Sequence, residues 1–181
     1  EPPTLAPASP GAYRQVFKEG EAVLLTVTAR WPRLEGDFPG VRRVNRYYDA
    51  LFQRWRRRWE GPLLERARAA AGPETPPWSA DLDFSVARFD REIYSLYLDA
   101  RENSGGRPRR VRQGDIWLLP AGVPLRLWEL LPRGRWRRGR ILEHIRAQVG
   151  PRLQTGEVIY YEDWPRLVSQ HFSPERVYLT E

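Results

Sequence analysis

The sequence predicts an α+β fold, an antiparallel sheet packed against one long helix with several shorter helices. Three observations carry that reading. Val23, Leu25, Val27, Ala29 and Trp31 alternate with Leu24, Thr26, Thr28 and Arg30, the period of two expected of a half-buried strand. After Pro39-Gly40 the period changes, and Val41, Val44, Tyr48, Phe52, Trp55 and Trp59 recur at steps of three and four along one helix face. From Ile93 to Leu131 the pattern returns to strand, turn and strand, with turns at Gly105-Gly106 and Pro120-Ala121-Gly122. Hairpin-linked strands beside one long helix favour α+β over a parallel α/β sheet.

The elements follow in chain order. Residues 1–11 contain four prolines with Ala and Ser and read as an extended linker, leaving 12–181 as a single domain. Tyr13 to Phe17 is expected to pair with the Val23 strand across Glu19-Gly20. The long helix should run from about Val41 to Trp59, with Val44, Tyr48, Phe52, Trp55 and Trp59 buried and Arg42, Arg46 and Arg57 exposed. Gly61-Pro62 should end it, because proline disfavours a helical residue before it. A second helical piece spans Leu63 to Ala71 and stops at Gly72-Pro73. Leu82, Phe84 and Val86 mark a strand that turns at Asp90-Arg91 into the strand Ile93–Asp99. Asp115 to Leu119 is the next strand, and Leu125 to Leu131 a short helix.

Trp136, Ile141, Leu142, Ile145 and Val149 define a further helix ending at Gly150-Pro151. Asp163 is placed to cap a short helix with Pro165 in its first turn and Trp164, Leu167, Val168 and His171 inward. Val177 to Thr180 reads as a final strand whose partner would lie beyond Glu181, so the chain is expected to be truncated at its C-terminus. Such an unpaired edge recruits other strands, and self-association through it is expected.

Composition bounds the function. At 181 residues, with 41% hydrophobic and 29% charged, the chain can bury a real core. It contains no cysteine, which excludes disulfides and thiol catalysis. No methionine occurs even at position 1, the mark of a processed form or of a piece of something longer. A signal peptide or membrane anchor could therefore precede Glu1. The formal charge is +7, and Lys18 is the only lysine, so the positive charge is almost all arginine. Arginine suits carboxylate and phosphate recognition, although a GC-rich genome produces the same bias, and the arginines are spread along the chain.

No catalytic constellation, cofactor motif or metal-ligand spacing emerges. His144 and His171 fall on predicted helices among apolar neighbours, where a structural role is the simpler reading. Glu143, Glu162 and Asp163 would have to join them to hold a metal. Asp81, Asp83, Asp90 and Glu92 flank a predicted hairpin and read as solvated turn acids rather than a glycosidase pair. Gly105-Gly106 matches no phosphate loop and reads as a turn needing positive φ. Three arginine clusters remain, at residues 54–58, 107–112 and 133–140. From the last two comes a candidate ligand-binding surface: Arg107, Arg109, Arg110, Arg112, Arg135, Arg137 and Arg138. Arginine mixed with tryptophan also allows nucleic-acid binding, as an alternative.

The order of elements resembles the RsiV-like extracytoplasmic domains of bacteria. The likeness is carried by Val27 through Arg46, with its Trp31-Pro32 step and the run Val44-Asn45-Arg46-Tyr47-Tyr48; by Tyr94 through Gly106; by Ile116 through Leu131; and by Gln170-His171-Phe172 through Thr180. It covers most of residues 13–181. Many relatives follow the double glycine with a small residue and a histidine, where this chain has Arg107-Pro108, and relatives continue into another strand. The resemblance implies a domain outside the cytoplasmic membrane. In some relatives it senses lysozyme within a membrane-anchored anti-sigma factor; in others it accompanies polysaccharide deacetylases. Lysozyme is strongly basic, and a basic domain would repel it at long range, so that ligand is not carried over. The expectation is a non-catalytic, extracytoplasmic binding or sensing domain for a protein or an anionic envelope polymer. A wall-polysaccharide-modifying enzyme, or its accessory domain, is the alternative from another class.

Overall fold

The computed structural model describes residues 6–106, 108–130, 138–155, 162–173 and 176–179. The chain forms two compact units, one of residues 1–124 with 178–181 and one of residues 125–177. In the first, six strands make one sheet: β2 (Gly11–Glu19), β3 (Ala22–Trp31), β5 (Trp78–Phe89), β6 (Ile93–Asn103), β7 (Arg109–Leu118) and β8 (Val123–Pro124), in the order β2-β3-β5-β6-β7-β8. A two-residue ladder joins β1 (Ala6–Pro7) to β4 (Leu34–Glu35).

The α+β reading holds, with one correction to the pairing. β3 and β5 run parallel, Leu25 beside Trp78 through Ala29 beside Leu82, while every other neighbouring pair in the sheet is antiparallel. Parallel neighbours require a long crossover, and the helical segment supplies it. α1 (Pro39–Arg58) passes into a π turn (Trp59–Leu63) and then α2 (Leu64–Ala70) before the chain re-enters the sheet. Gly61-Pro62 therefore does not end the helical path. Proline cannot donate the α-helical bond, and the wider π turn absorbs the missing donor while keeping Trp59 and Leu63 buried.

One face of the sheet is covered by α1. Leu25, Val27 and Ala29 of β3, Ala80 and Leu82 of β5, Leu96, Leu98 and Ala100 of β6 and Trp117 of β7 share a core with Val41, Val44, Tyr48, Leu51, Phe52 and Trp59. Of the expected inward positions only Trp55 is half-buried, tilted against Trp59 at 5.4 Å; Arg42, Arg46 and Arg57 are exposed as expected. The Tyr48 hydroxyl donates to Asp115 Oδ2 at 3.0 Å and accepts from Trp117 Nε1 at 2.7 Å. This burial pushes the phenol's pKa well up. Asn45 brackets Leu34, accepting from its N–H and donating to its carbonyl, each at 2.9 Å, and so fastens β4 to the helix. The start of α1 sits against the turn between β7 and β8, where Gly40 meets Gly122 (φ +61°). A β-carbon on Gly40 would lie 1.9 Å from the Leu119 carbonyl oxygen.

Several expected boundaries move. Within the proline-rich opening, Ala6 and Pro7 pair with β4 and Ala8 donates to the Arg33 carbonyl at 2.9 Å, so residues 6–8 are fastened rather than a free spacer. Proline is tolerated there because a sheet edge demands little of its missing donor. β7 begins at Arg109, well before the expected Asp115, so that Arg109, Arg110 and Arg112 are strand residues. Val177 to Leu179 makes no ladder. Leu179 exchanges both its backbone groups with the buried Ser95 hydroxyl, at 2.7 Å and 3.1 Å. Thr180 lies outside the described residues.

The second unit contains α3 (Leu127–Leu130), α4 (Arg138–Gln154) and α5 (Trp164–His171). α4 continues through Pro151, past its expected end. Gly150, having no β-carbon, removes much of the clash that proline imposes on its predecessor. Arg138 donates to the Ser169 carbonyl, and Arg146 to its hydroxyl at 2.7 Å, linking α4 to α5. His171 is exposed rather than inward, and Trp136 lies outside the described residues. Among the described residues no helix is long and apolar enough to cross a membrane.

Two substitutions test this core. Phe52→Ala removes a ring stacked on Trp31 at 4.0 Å and should lower stability by about 3–5 kcal/mol in chemical denaturation. Gly40→Ala should cost at least about 1–3 kcal/mol, because backbone rather than a flexible side chain stands in the way. An unchanged melting temperature for Gly40→Ala would show that the helix and the turn do not meet as described.

Candidate functional site

The sheet face turned away from α1 carries the densest set of functional groups. A period of two assigns them. Along β5, Ala80 and Leu82 enter the core, so Asp81 and Asp83 face outward; along β6, Leu98 and Ala100 enter, so Asp99 and Arg101 face outward. Pairing then aligns them across strands. One row is Thr28, Asp81, Arg101 and Arg110; the next is Asp83, Asp99 and Arg112. Asp81 and Asp83 are therefore strand residues within a charged lattice, not the turn acids expected. Asp90 is a turn acid, accepting from the N–H groups of Glu92 and Ile93 at 2.9 Å and 2.7 Å.

Asp99 is the centre of the lattice. It is 7% exposed, and two guanidinium groups fork onto it. Oδ1 accepts from Arg112 Nε at 2.8 Å and Arg110 Nε at 3.3 Å; Oδ2 accepts from Arg110 Nη2 at 2.6 Å and Arg112 Nη2 at 2.8 Å. Arg101 stands 3.9 Å away. The Arg112 hydrogen bonds, outweighing the opposing effect of burial, hold the Asp99 carboxyl far below the usual carboxylate range. Asp83 is directly opposite Asp99 in the ladder, a repulsive pair in isolation. It is offset by Arg30 at 3.6 Å and by the arginines on Asp99. Burial raises the pKa of Asp81, and Arg101 opposes that rise.

The arginines are held but not used up. Each fork engages Nε and Nη2, while the arginine side chains stay 50% (Arg110) and 41% (Arg112) exposed. A guanidinium has five N–H donors, so Arg110 keeps donors beyond its fork, while Arg112 has a further hydrogen bond with Tyr178. Arg112 also lies over the Tyr97 ring at 4.1 Å, and Tyr97 packs on Tyr178 at 4.9 Å. A cavity of ≈ 290 Å³ opens beside this cluster, lined by Thr28, Arg30, Asp81, Leu82, Asp83, Asp99 and Arg101.

The arginine surface expected from sequence is thus divided. Arg110 and Arg112 join at Asp99, but Arg109, one residue along, falls on the other face, 3.8 Å from Glu102. There Glu102, 6% exposed, accepts from Arg58 Nε at 2.6 Å and Trp59 Nε1 at 3.0 Å, and the Arg58 bond lowers its pKa. Arg138 is exposed in the second unit, and Arg107, Arg135 and Arg137 lie outside the described residues. Asp81, Asp83, Asp99, Arg30 and Arg101 were missed as site residues. Their signal was two successive charged outward positions on each of two adjacent strands, Asp81 and Asp83 on β5 and Asp99 and Arg101 on β6, legible only once the strands are paired.

The histidines do not build a site. His144 and His171 are both exposed, and His144 Nε2 is 3.0 Å from Gln148 Nε2. Among the described residues no group of three or more potential metal ligands gathers.

Two solved bacterial structures share this fold. One is a DUF3298 family protein from Pseudomonas aeruginosa PAO1, with a TM-score of 0.55 and 15% identity over 87% of this chain and 69% of that one. The other is a member of the same family from Bacteroides fragilis NCTC 9343, with a TM-score of 0.52 and 11% identity over 92% of this chain and 74% of that one. At these identities the likeness is one of fold. DUF3298 is a bacterial domain of unknown function, and the RsiV-like resemblance is compatible with it as a related family. No protein-family model matches the chain, and no curated protein sequence does.

The geometry of Asp99 fixes a pH dependence. Its folded pKa is depressed, so the unfolded chain binds the extra proton between the two values and stability rises with pH there. The contribution is complete above about pH 5 and is lost as pH falls through the unfolded value near 3.9 toward the folded one. Asp99→Asn should lower stability at neutral pH by about 1.5–3 kcal/mol, the worth of hydrogen bonds to a charged group. It should also flatten the acid limb of a plot of melting temperature against pH. An acid limb identical to that of the unsubstituted chain would remove Asp99 from this role.

Proposed function

We propose that this chain is a non-catalytic binding domain that works outside the cytoplasmic membrane and presents the charged lattice of its sheet to a protein ligand. The observation that carries the reading is the double fork on Asp99. A carboxylate kept ionised so strongly is unsuited to donating a proton, and arginine stays charged at any physiological pH. What the pair of forks does achieve is orientation, since both guanidinium groups are fixed on Asp99 while their side chains stay partly exposed.

The lattice carries both signs, with Arg30, Arg101, Arg110 and Arg112 set among Asp81, Asp83 and Asp99. A polyanion would meet repulsion at every aspartate, whereas a folded protein can present charges of both signs in register. Placement outside the membrane is supported by the RsiV-like resemblance, and the fold shared with bacterial DUF3298 structures is compatible with it.

The test is affinity capture from an envelope extract of the source bacterium. A discrete protein should be retained by the unsubstituted chain and lost from both Arg110→Ala/Arg112→Ala and Asp81→Lys/Asp83→Lys, with circular dichroism showing each variant folded. The purified partner should bind each variant at least tenfold more weakly, a difference of about 1.4 kcal/mol. A partner held equally by all three proteins would place the interaction elsewhere and end the proposal for this face.

A further inference from the structure

The charge of the chain is not spread as its composition implied. α1 contains seven arginines and one carboxylate, Asp49. Its net charge of +6 nearly equals the +7 of the whole chain, and the other 161 residues hold 23 basic against 22 acidic groups. A genomic preference for arginine explains arginine over lysine. It does not explain why acids are missing from one helix while the sheet pairs its arginines with aspartates.

Three of the seven are engaged. Arg43 donates to the Ala121 carbonyl at 2.9 Å, Arg56 pairs with Glu60 at 3.0 Å and Arg58 with Glu102 at 2.6 Å. Asp49 is taken by Trp31 Nε1 at 2.7 Å and Arg33 at 3.0 Å. Arg42, Arg46, Arg54 and Arg57 are exposed and have no acidic partner among the described residues. At 1.5 Å per residue they extend along about 22 Å of helix, and at 3.6 residues per turn Arg42, Arg46 and Arg57 share an arc of roughly 60° with Arg54 at its flank.

The helix's own electrostatics oppose this arrangement. Arg42 and Arg46 are like charges at i, i+4. Arg42 also sits in the first turn, which contains no acid and where the backbone dipole is already positive. Because Val44, Tyr48, Leu51 and Phe52 anchor the opposite side in the core, the arginines cannot turn away from water.

We propose that the outward face of α1 docks a linear polyanion carrying its charge on phosphodiester groups, an anionic polymer of the cell envelope. Planar guanidinium forks match phosphate oxygens, and a straight row of them matches charge repeated along a chain. Among the described residues the exposed large hydrophobic side chains are Val86, Leu118, Val123 and Trp128, none of them on α1, so this helix offers no anchor to a bilayer. Trp55 and Tyr47 pack on core rings, which leaves no aromatic free to stack on a base. The envelope location rests on the extracytoplasmic reading given above; the phosphodiester chemistry does not, and this face is on the far side of the sheet from the Asp99 lattice.

The experiment titrates the 181-residue chain with poly(glycerol phosphate), with a single-stranded DNA oligonucleotide of similar charge and with phosphatidylglycerol vesicles, each across a series of salt concentrations. Poly(glycerol phosphate) should bind most tightly, with affinity falling steeply as salt rises. The variant R42Q/R46Q/R54Q/R57Q should bind it at least tenfold more weakly at low salt. Its slope of log affinity against log salt should be shallower by roughly 3, at about 0.7 per phosphate contact on a flexible strand. Its melting temperature should hold or rise, since like charges have been removed. Should that variant not fold, R42Q/R46Q and R54Q/R57Q should each remove about half of the slope. Arg110→Gln/Arg112→Gln should leave polymer binding unchanged, which separates this surface from the sheet face. Absence of polymer binding at low salt, or equal binding by the fourfold variant, overturns the proposal. Equal or tighter binding of DNA or vesicles through these arginines also overturns it, and makes the face a nucleic-acid or membrane contact.

Discussion

Burial of α1 against one face of the sheet is the constraint on which the sheet-bearing unit rests. The helix has a single apolar stripe, and only the face formed by β3, β5, β6 and β7 is apolar enough to receive it. To reach that position the chain must leave β3, cross the sheet and return as β5 in the same direction, so the parallel pair is a consequence of placing the helix. The π turn at Trp59–Leu63 belongs to the same constraint. It lets the helical path continue past Pro62, so that Trp59 is seated beside Glu102 and Leu64 and Ala67 of α2 extend the core.

Once one face is given to the helix, most of the charge on the strands lies on the other, and the exceptions Glu102 and Asp115 are bonded to Arg58, Trp59 and Tyr48 of the helical segment. On the sheet, arginines lie opposite aspartates at the spacing of neighbouring strands, and Asp99 collects two of them. On α1, Arg42, Arg46, Arg54 and Arg57 are exposed and have no acidic partner among the described residues. The molecule thus presents two surfaces of different character: a rigid lattice of both signs, and a row of one sign. The first suits a partner with its own mixed charge, the second a chain of repeated negative charge.

The motifs behind the RsiV-like resemblance prove to be packing motifs. Trp31 stacks on Phe52 and donates to Asp49, Asn45 clasps β4, Tyr48 joins Trp117 to Asp115, and Gln113 reaches the Tyr47 hydroxyl at 2.8 Å. They say little about a ligand, because apart from the exposed Arg46 their roles are in packing.

Sequence alone determined what depends on local periodicity. The hairpin of β2 and β3, the amphipathy of α1, the strands β5 and β6 and the turn at Gly105 (φ +78°) were legible because burial and backbone conformation act on residues one to four apart. Proline misled at Pro62 and Pro151, since whether a helix tolerates a lost donor depends on what the flanking turns bury, a tertiary matter. The site was legible only in its parts. Arg110 and Arg112 were visible as a cluster, but their fork onto Asp99 depends on which strands are neighbours and in what register, a choice between residues 11 and 13 positions apart. Arg109, adjacent in sequence, was assigned to the opposite face by the same register, and Asp81 and Asp83 became lattice members through pairing with β6. Composition fixed how much positive charge the chain carries; only the packing of α1 decided that four of its arginines would face water with no acidic partner among the described residues.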